Sequence, residues 1–109
     1  MARVEISFCE LGNRSAEGMS AGIALGEKTK TEVVTSGATS VATSTASDAP
    51  DGFGFVNIWS NADVWVVTGA APVAAVPASG QIRNGWRVGG YMPTAFAVRR
   101  GDRVAVITI

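Results

Sequence analysis

Phe53-Gly54-Phe55-Val56-Asn57-Ile58-Trp59, then Ser60-Asn61-Ala62-Asp63, then Val64-Trp65-Val66-Val67-Thr68 is the stretch that decides how this chain folds. Two apolar runs rich in β-branched and aromatic residues flank a short cluster of turn formers, and both runs read as strands. With so few residues between them, a hairpin is the expected connection. Upstream, Asp48-Ala49-Pro50-Asp51-Gly52 is dense in turn-forming residues and bounds the first run.

The same period of two appears on either side. Val4, Ile6 and Phe8 alternate with Arg3, Glu5 and Ser7, which predicts a strand with one apolar and one polar face. Ile23-Ala24-Leu25, between Gly22 and Gly26, is a shorter run of the same kind. Ten of the nineteen residues from 29 to 47 are Ser or Thr, so a flexible linker competes there with β structure. Branched threonines with Val33, Val34 and Val41 favour β, with a turn at Ser36-Gly37.

Residues 69–80 are rich in alanine, but Pro72 and Pro77 each remove a backbone donor and break a helix, so an extended or irregular loop is expected. A strand around Trp86 is expected within 81–87. Two more, 94–98 and 103–109, are joined by Arg99-Arg100-Gly101-Asp102, a hairpin turn on its chemistry. In the last strand Val104 and Val106 fall on one face and Ala105, Ile107 and Ile109 on the other. Both faces are apolar, as in an internal strand or one whose outer face meets another subunit. About eight short antiparallel strands without a convincing helix predict an all-β fold, a single β-sandwich of jelly-roll type. The expected organisation is an N-terminal strand and possible extended arm over 1–28, followed by a β-sandwich domain over 29–109. Gly, Ser and Ala in 12–22 suit the arm.

At 109 residues the chain is one domain. It has no histidine, which removes histidine-based acid, base or metal chemistry from its own repertoire. Its one cysteine, Cys9, has no partner for an internal disulfide or a thiolate zinc site and reads as a small buried hydrophobe. Nine basic residues balance nine acidic ones, so bulk charge does not drive it to nucleic acid or to a membrane surface. The first residues lack the apolar run of a signal peptide, so synthesis in a cytosol without signal-peptide secretion is expected.

Several patterns resemble sites. Arg100-Gly101-Asp102 spells an adhesion tripeptide but sits where a turn is expected. Asp48, Asp51, Asp63, Asn57 and Asn61 offer oxygen ligands without a calcium-loop spacing, and read as turn residues. Glu5, Glu10, Glu17, Glu27 and Glu32 show no paired-carboxylate setting and read as solvated faces. Asn13-Arg14-Ser15 fits a glycosylation triplet that has no meaning without secretion. No cofactor or metal site emerges. What survives is charge segregation: residues 1–63 carry four basic and eight acidic side chains, and residues 64–109 carry five arginines and Asp102. Arginine suits desolvated interfaces. Trp59, Trp65 and Trp86 with Arg83, Arg87, Arg99 and Arg100 are therefore the candidate interface residues.

The Ser/Thr-rich stretch over 33–47, the run 53–59, Asp63-Val64-Trp65-Val66-Val67-Thr68-Gly69-Ala70-Ala71-Pro72-Val73-Ala74-Ala75 and the closing Ala97-Val98-Arg99-Arg100-Gly101-Asp102-Arg103-Val104-Ala105-Val106-Ile107 together resemble capsid decoration proteins, the cement or staple proteins of tailed bacteriophages, and related virion β-domains. The resemblance spans about residues 30–109 and lies in strand and turn pattern. It implies a non-enzymatic jelly-roll domain on the outside of the capsid, bridging major capsid subunits as a dimer or trimer, with the major capsid protein and itself as partners. No catalytic residues come with it. The alternative is a head- or tail-fibre β-domain that binds a host surface glycan through Trp59, Trp65 or Trp86.

Overall fold

The computed structural model describes residues 2–12, 23–24 and 26–109, so residues 13–22 of the proposed arm, with Glu17 and the Asn13-Arg14-Ser15 triplet, lie outside the described residues. Nine strands follow in order: β1 (Arg3–Gly12), β2 (Ile23–Ala24), β3 (Lys30–Thr35), β4 (Val41–Ala42), β5 (Gly54–Ser60), β6 (Val64–Gly69), β7 (Trp86–Val88), β8 (Thr94–Ala97) and β9 (Arg103–Thr108). A single 3-10 turn, Gly26–Lys28, lies between β2 and β3. The strands form two antiparallel sheets. In the first, β1 lies between β5 and the β2/β3 edge, and β8 pairs with the far side of β5; the second runs β4-β9-β6-β7. Among the described residues no helix is long and apolar enough to cross a membrane.

Alternation puts the core between the sheets. Val4, Ile6 and Phe8 of β1 and Val56 and Ile58 of β5 point inward, and Val64, Val66, Val88, Val104 and Val106 of the second sheet meet them. Full burial of each such side chain contributes about 1.5–3 kcal/mol. The fold is all-β and sandwich-like, as the period of two predicts. β1 is an interior strand of the first sheet, with Ile6 opposite Glu32 of β3 on one side and Ile58 of β5 on the other.

The expected hairpin between residues 53–59 and 64–68 does not form. β5 pairs with β1 and β8, whereas β6 pairs with β7 and β9, so the short link carries the chain from one sheet to the other. The side chains of the link explain this. Asn61 accepts from the Arg3 backbone N–H (3.0 Å), Ser60 donates to the Ala62 carbonyl, and Asp63 accepts from the Gly90 N–H (2.8 Å). These bonds tie the turn to β1 and to the segment before β8. Val56 and Ile58 then face Val64 and Val66 across the core. Residues 99–102 likewise join β8 and β9 across the sheets, with the Asp102 carboxylate accepting from the Arg99 N–H (2.8 Å).

The Ser/Thr-rich stretch is ordered through hydrogen bonds more than through strand pairing. Thr43 is buried; its N–H donates to the Val104 carbonyl (2.8 Å) and its hydroxyl accepts from the Val104 N–H (3.2 Å). Buried Ser36 joins the two sheets where β1 starts and β9 ends, accepting from the Ala2 N–H (3.2 Å) and bonding the Thr108 hydroxyl (2.8 Å). Glu32, on β3, receives the Ser44 and Thr45 N–H groups at 3.0 and 2.8 Å.

Partial burial pushes the Glu32 carboxyl up, but the hydrogen bonds from Thr45 and Ser44 outweigh it and hold the group below the usual carboxylate range. A carboxyl depressed in the folded chain adds stability above its unfolded pKa, about 4.3, and loses it as pH falls through the folded value. Glu32→Gln is therefore expected to be less stable than the parent by about 0.5 kcal/mol near neutrality, screened by solvent, and to approach it near pH 3. Urea unfolding at the two pH values checks this. An equal gap at both would show that ionisation of Glu32 contributes nothing.

Candidate functional site

The outer face of the second sheet is covered by its own chain. Val67 and Ala105 are buried there against Ala74 of the 70–85 loop, with Trp65 and Ile107 packed beside them. The second apolar face of β9 is thus closed mainly within the chain, although Ile109 remains exposed. Proline-restricted and without regular structure, as expected, this loop is anchored by the Ser40 hydroxyl accepting from the Ala74 N–H (2.8 Å) and by the Trp65 indole N–H donating to the Asn84 carbonyl (3.0 Å). Between loop and sheet lies a cleft of about 480 Å³ lined by Val67, Gly69, Pro72, Val73, Ile82 and Arg83, among others. Val73 is 74% and Ile82 99% exposed, so the loop presents apolar side chains to solvent beside the Arg83 guanidinium.

The outer face of the first sheet carries a second feature. The Trp59 and Tyr91 rings meet edge to face with centroids 5.7 Å apart. Tyr91 has φ 61°, a left-handed conformation that a residue with a side chain adopts at a cost of about 1–2 kcal/mol. Its N–H donates to the Ser60 carbonyl (2.7 Å), and the Gly90 N–H is held by Asp63, which fixes an exposed aromatic in place. Further along the same sheet, Leu11, Gly52, Gly54, Phe55, Ala95 and Ala97 help line a groove of about 320 Å³.

The tryptophans do not form one platform. Trp59 is on the outside of the first sheet and Trp65 on the outside of the second, while Trp86 packs into the core with its centroid 3.9 Å from that of Phe96. The Trp86 N–H is buried without an acceptor among the described residues, a cost of about 1–3 kcal/mol that burial of the ring offsets. Arg87 on β7 is the register partner of Trp65 and pairs with Asp63 (3.2 Å). Arg99 and Arg100 share the turn after β8; the Arg100 N–H donates to Asp51 (3.0 Å). Only Trp65, Arg83 and Arg87 belong to one region, the second sheet with its covering loop.

Acidic groups are largely occupied within the fold. Glu5 pairs with Arg3, and Asp48 with Lys30, whose hydrogen bond and charge hold it below the usual carboxylate range. Asp51 and Asp63, two of the three candidate calcium carboxylates, accept backbone N–H groups at turns, as does Asp102. Among the described residues no three of Cys, Asp and Glu gather as metal ligands. Burial pushes the Cys9 thiol up, against a hydrogen bond with Thr29 that lowers it; Cys9 is the buried residue expected. Among the described residues Arg83, Arg99, Arg100 and Arg103 enter no ion pair. Tyr91 and the groove beside β8 were not foreseen. Gly89-Gly90 before Tyr91 was the available signal for the first, and nothing local signals a groove built from four separate segments.

This arrangement suits binding: a two-sheet frame, apolar side chains held outward and, among the described residues, guanidinium groups in no ion pair. No protein family, curated protein or solved structure matches the chain.

Proposed function

We propose that this chain is a non-enzymatic virion protein that binds the outside of a tailed-phage capsid and staples adjacent major capsid subunits, acting as a dimer or trimer. The observation that carries the reading is the division of its polar chemistry. Most described carboxylates are engaged within the fold, whereas four arginines and the apolar tips of the 70–85 loop are turned outward, the arginines forming no ion pair with any described residue. Such a surface fits a neutral or acidic protein neighbour.

The jelly-roll part of the reading has support in strand order. Counted from β3, the orders β3-β1-β5-β8 and β4-β9-β6-β7 are those of the two sheets of an eight-stranded jelly roll in which β1 takes the place of the last strand. The end of β9 lies beside the start of β1, because Ser36 bonds both Ala2 and Thr108. That is where the final connection of an unpermuted jelly roll would run.

Stapling works by linkage. A protein that binds the assembled shell better than its separated subunits stabilises the shell by the difference in binding free energy, and many copies act together. Shells prepared without the protein are expected to release their DNA at a lower temperature than shells that carry it. Heating both with a DNA-binding dye reads the release directly. Superimposed release curves would contradict the proposal.

A further inference from the structure

Among the described residues the two sheets end in β2/β3 and β8, and in β4 and β7, and exposed edges invite strand addition unless they are guarded. Three of the edges here are short or guarded. β4 has two residues and β7 three, the latter carrying Arg87 in its ion pair with Asp63. β3 is longer, but Lys30 and Glu32 lie in it, and Glu32 pairs in register with inward-facing Ile6, so its charge points to the core side. An inward-pointing charge is a known guard for an edge strand. β8, with sequence Thr-Ala-Phe-Ala, has neither a charge nor a proline within it.

Hydrogen-bond parity shows which groups β8 leaves open. The Val98 N–H donates to the Gly54 carbonyl (3.1 Å), so in antiparallel alternation Phe96 and Thr94 bond toward β5. The N–H and C=O groups of Ala95 and Ala97 therefore point away from the sheet. Among the described residues no backbone bond reaches them. Their side chains are small, and the groove with Leu11, Gly52, Gly54 and Phe55 lies alongside. A strand added here would gain main-chain bonds from both alanines and set alternate side chains over the groove.

The charge at the end of β8 selects the occupant. Arg99 and Arg100 follow the strand after Val98, their backbone N–H groups fixed by Asp102 and Asp51 and their side chains in no ion pair among the described residues. A second copy pairing β8 to β8 would bring the Thr94 end of its strand to these arginines. Among the described residues the carboxylate held toward that end is Asp63, bonded to the Gly90 N–H four residues before Thr94 and already engaged by Arg87. We infer that β8 is a docking edge for an extended strand of another protein, apolar at alternate positions and acidic at its N-terminal end, which antiparallel addition places beside Arg99 and Arg100. The inference does not depend on that protein being a capsid subunit.

Amide hydrogen exchange by NMR on the isotope-labelled full chain tests it. In the free protein the Ala95 and Ala97 amides are expected to exchange openly while Phe96 and Val98 are protected. The probe is a synthetic peptide of about seven residues, alternating valine and threonine after two N-terminal aspartates. At about millimolar concentration it is expected to slow exchange at Ala95 and Ala97 by about tenfold, and the same peptide with lysines for the aspartates by far less. Ala97→Pro removes one outward N–H, which edge positions tolerate, and is expected to keep the native spectrum while losing the peptide effect. Ala97→Glu, which leaves every N–H in place but sets a carboxylate next to the aspartates, is expected to weaken binding as well. Protection of Ala95 and Ala97 before peptide is added would mean the edge is already taken, and would overturn the inference. So would no slowing by the aspartate peptide, or equal slowing by the lysine peptide.

Discussion

Gly85→Ala is expected to destabilise the fold by about 3 kcal/mol, through backbone strain and overpacking together. Gly85 has φ 113°, a region that residues with side chains rarely adopt. A Cβ there would collide with the Val66 carbonyl oxygen and come within 2.6 Å of Trp65 Nε1 and 2.8 Å of Val67 Cγ2. The backbone oxygen belongs to a strand in the middle of the second sheet and has little room to yield. The loop would have to lift, taking with it the Asn84 carbonyl that accepts from Trp65 and the start of β7, whose first residue is Trp86. Denaturant unfolding followed by tryptophan emission reads both the stability and the exposure of Trp65. Gly80→Ala is the control: φ is 82° but nothing lies within 4 Å of the added carbon, so only strain of about 1 kcal/mol is expected. Equal losses for the two variants would contradict the packing assigned to Gly85.

Ile58→Ala is the second large loss, about 2–5 kcal/mol. Ile58 is fully buried and pairs in register with Ile6 on one side and Thr94 on the other, so its removal leaves a cavity at the middle of the first sheet. Against a total stability of about 5–15 kcal/mol for a domain, the variant is expected to be marginal or unfolded at 37 °C. Ile82→Ala removes the same atoms from a side chain 99% exposed and is expected to change stability by less than about 0.5 kcal/mol. Thermal melts of the pair separate the roles: Ile58 holds the frame and Ile82 belongs to the presented surface. A loss of similar size for Ile82→Ala would place it in the core and remove it from that surface.

The contrast between local and distant information explains what could be read in advance. The alternation in β1, the two apolar faces of β9 and the boundaries of β5 and β6 are consequences of period and turn composition, and they agree with the fold within a few residues. Pairing partners are another matter. A short polar link serves equally for a hairpin and for a crossing between sheets, and the apolar pattern of residues 53–68 is the same in both. The outcome turns on bonds from Ser60, Asn61 and Asp63 to Ala62, β1 and the segment near Gly90, the last two of them far away in sequence.

The candidate residues divide in the same way. That tryptophans are anchors was legible, but that Trp86 anchors the core while Trp59 and Trp65 lie on opposite outer faces depends on strand register. Arginine excess in the second half of the chain was visible in composition. That, among the described residues, Arg87 is paired while Arg83, Arg99 and Arg100 are not follows from where the turns place Asp51, Asp63 and Asp102. The open edge of β8 could not be seen at all in the sequence, since being an edge is a property of sheet order.

Attachment to a shell is the claim on which the functional account rests, and sedimentation tests it most directly. Purified protein is mixed with capsids assembled without it, and the capsids are pelleted. The account predicts that the protein pellets with them, saturating at a fixed number of copies per shell. Protein that stays in the supernatant at every capsid concentration would contradict it.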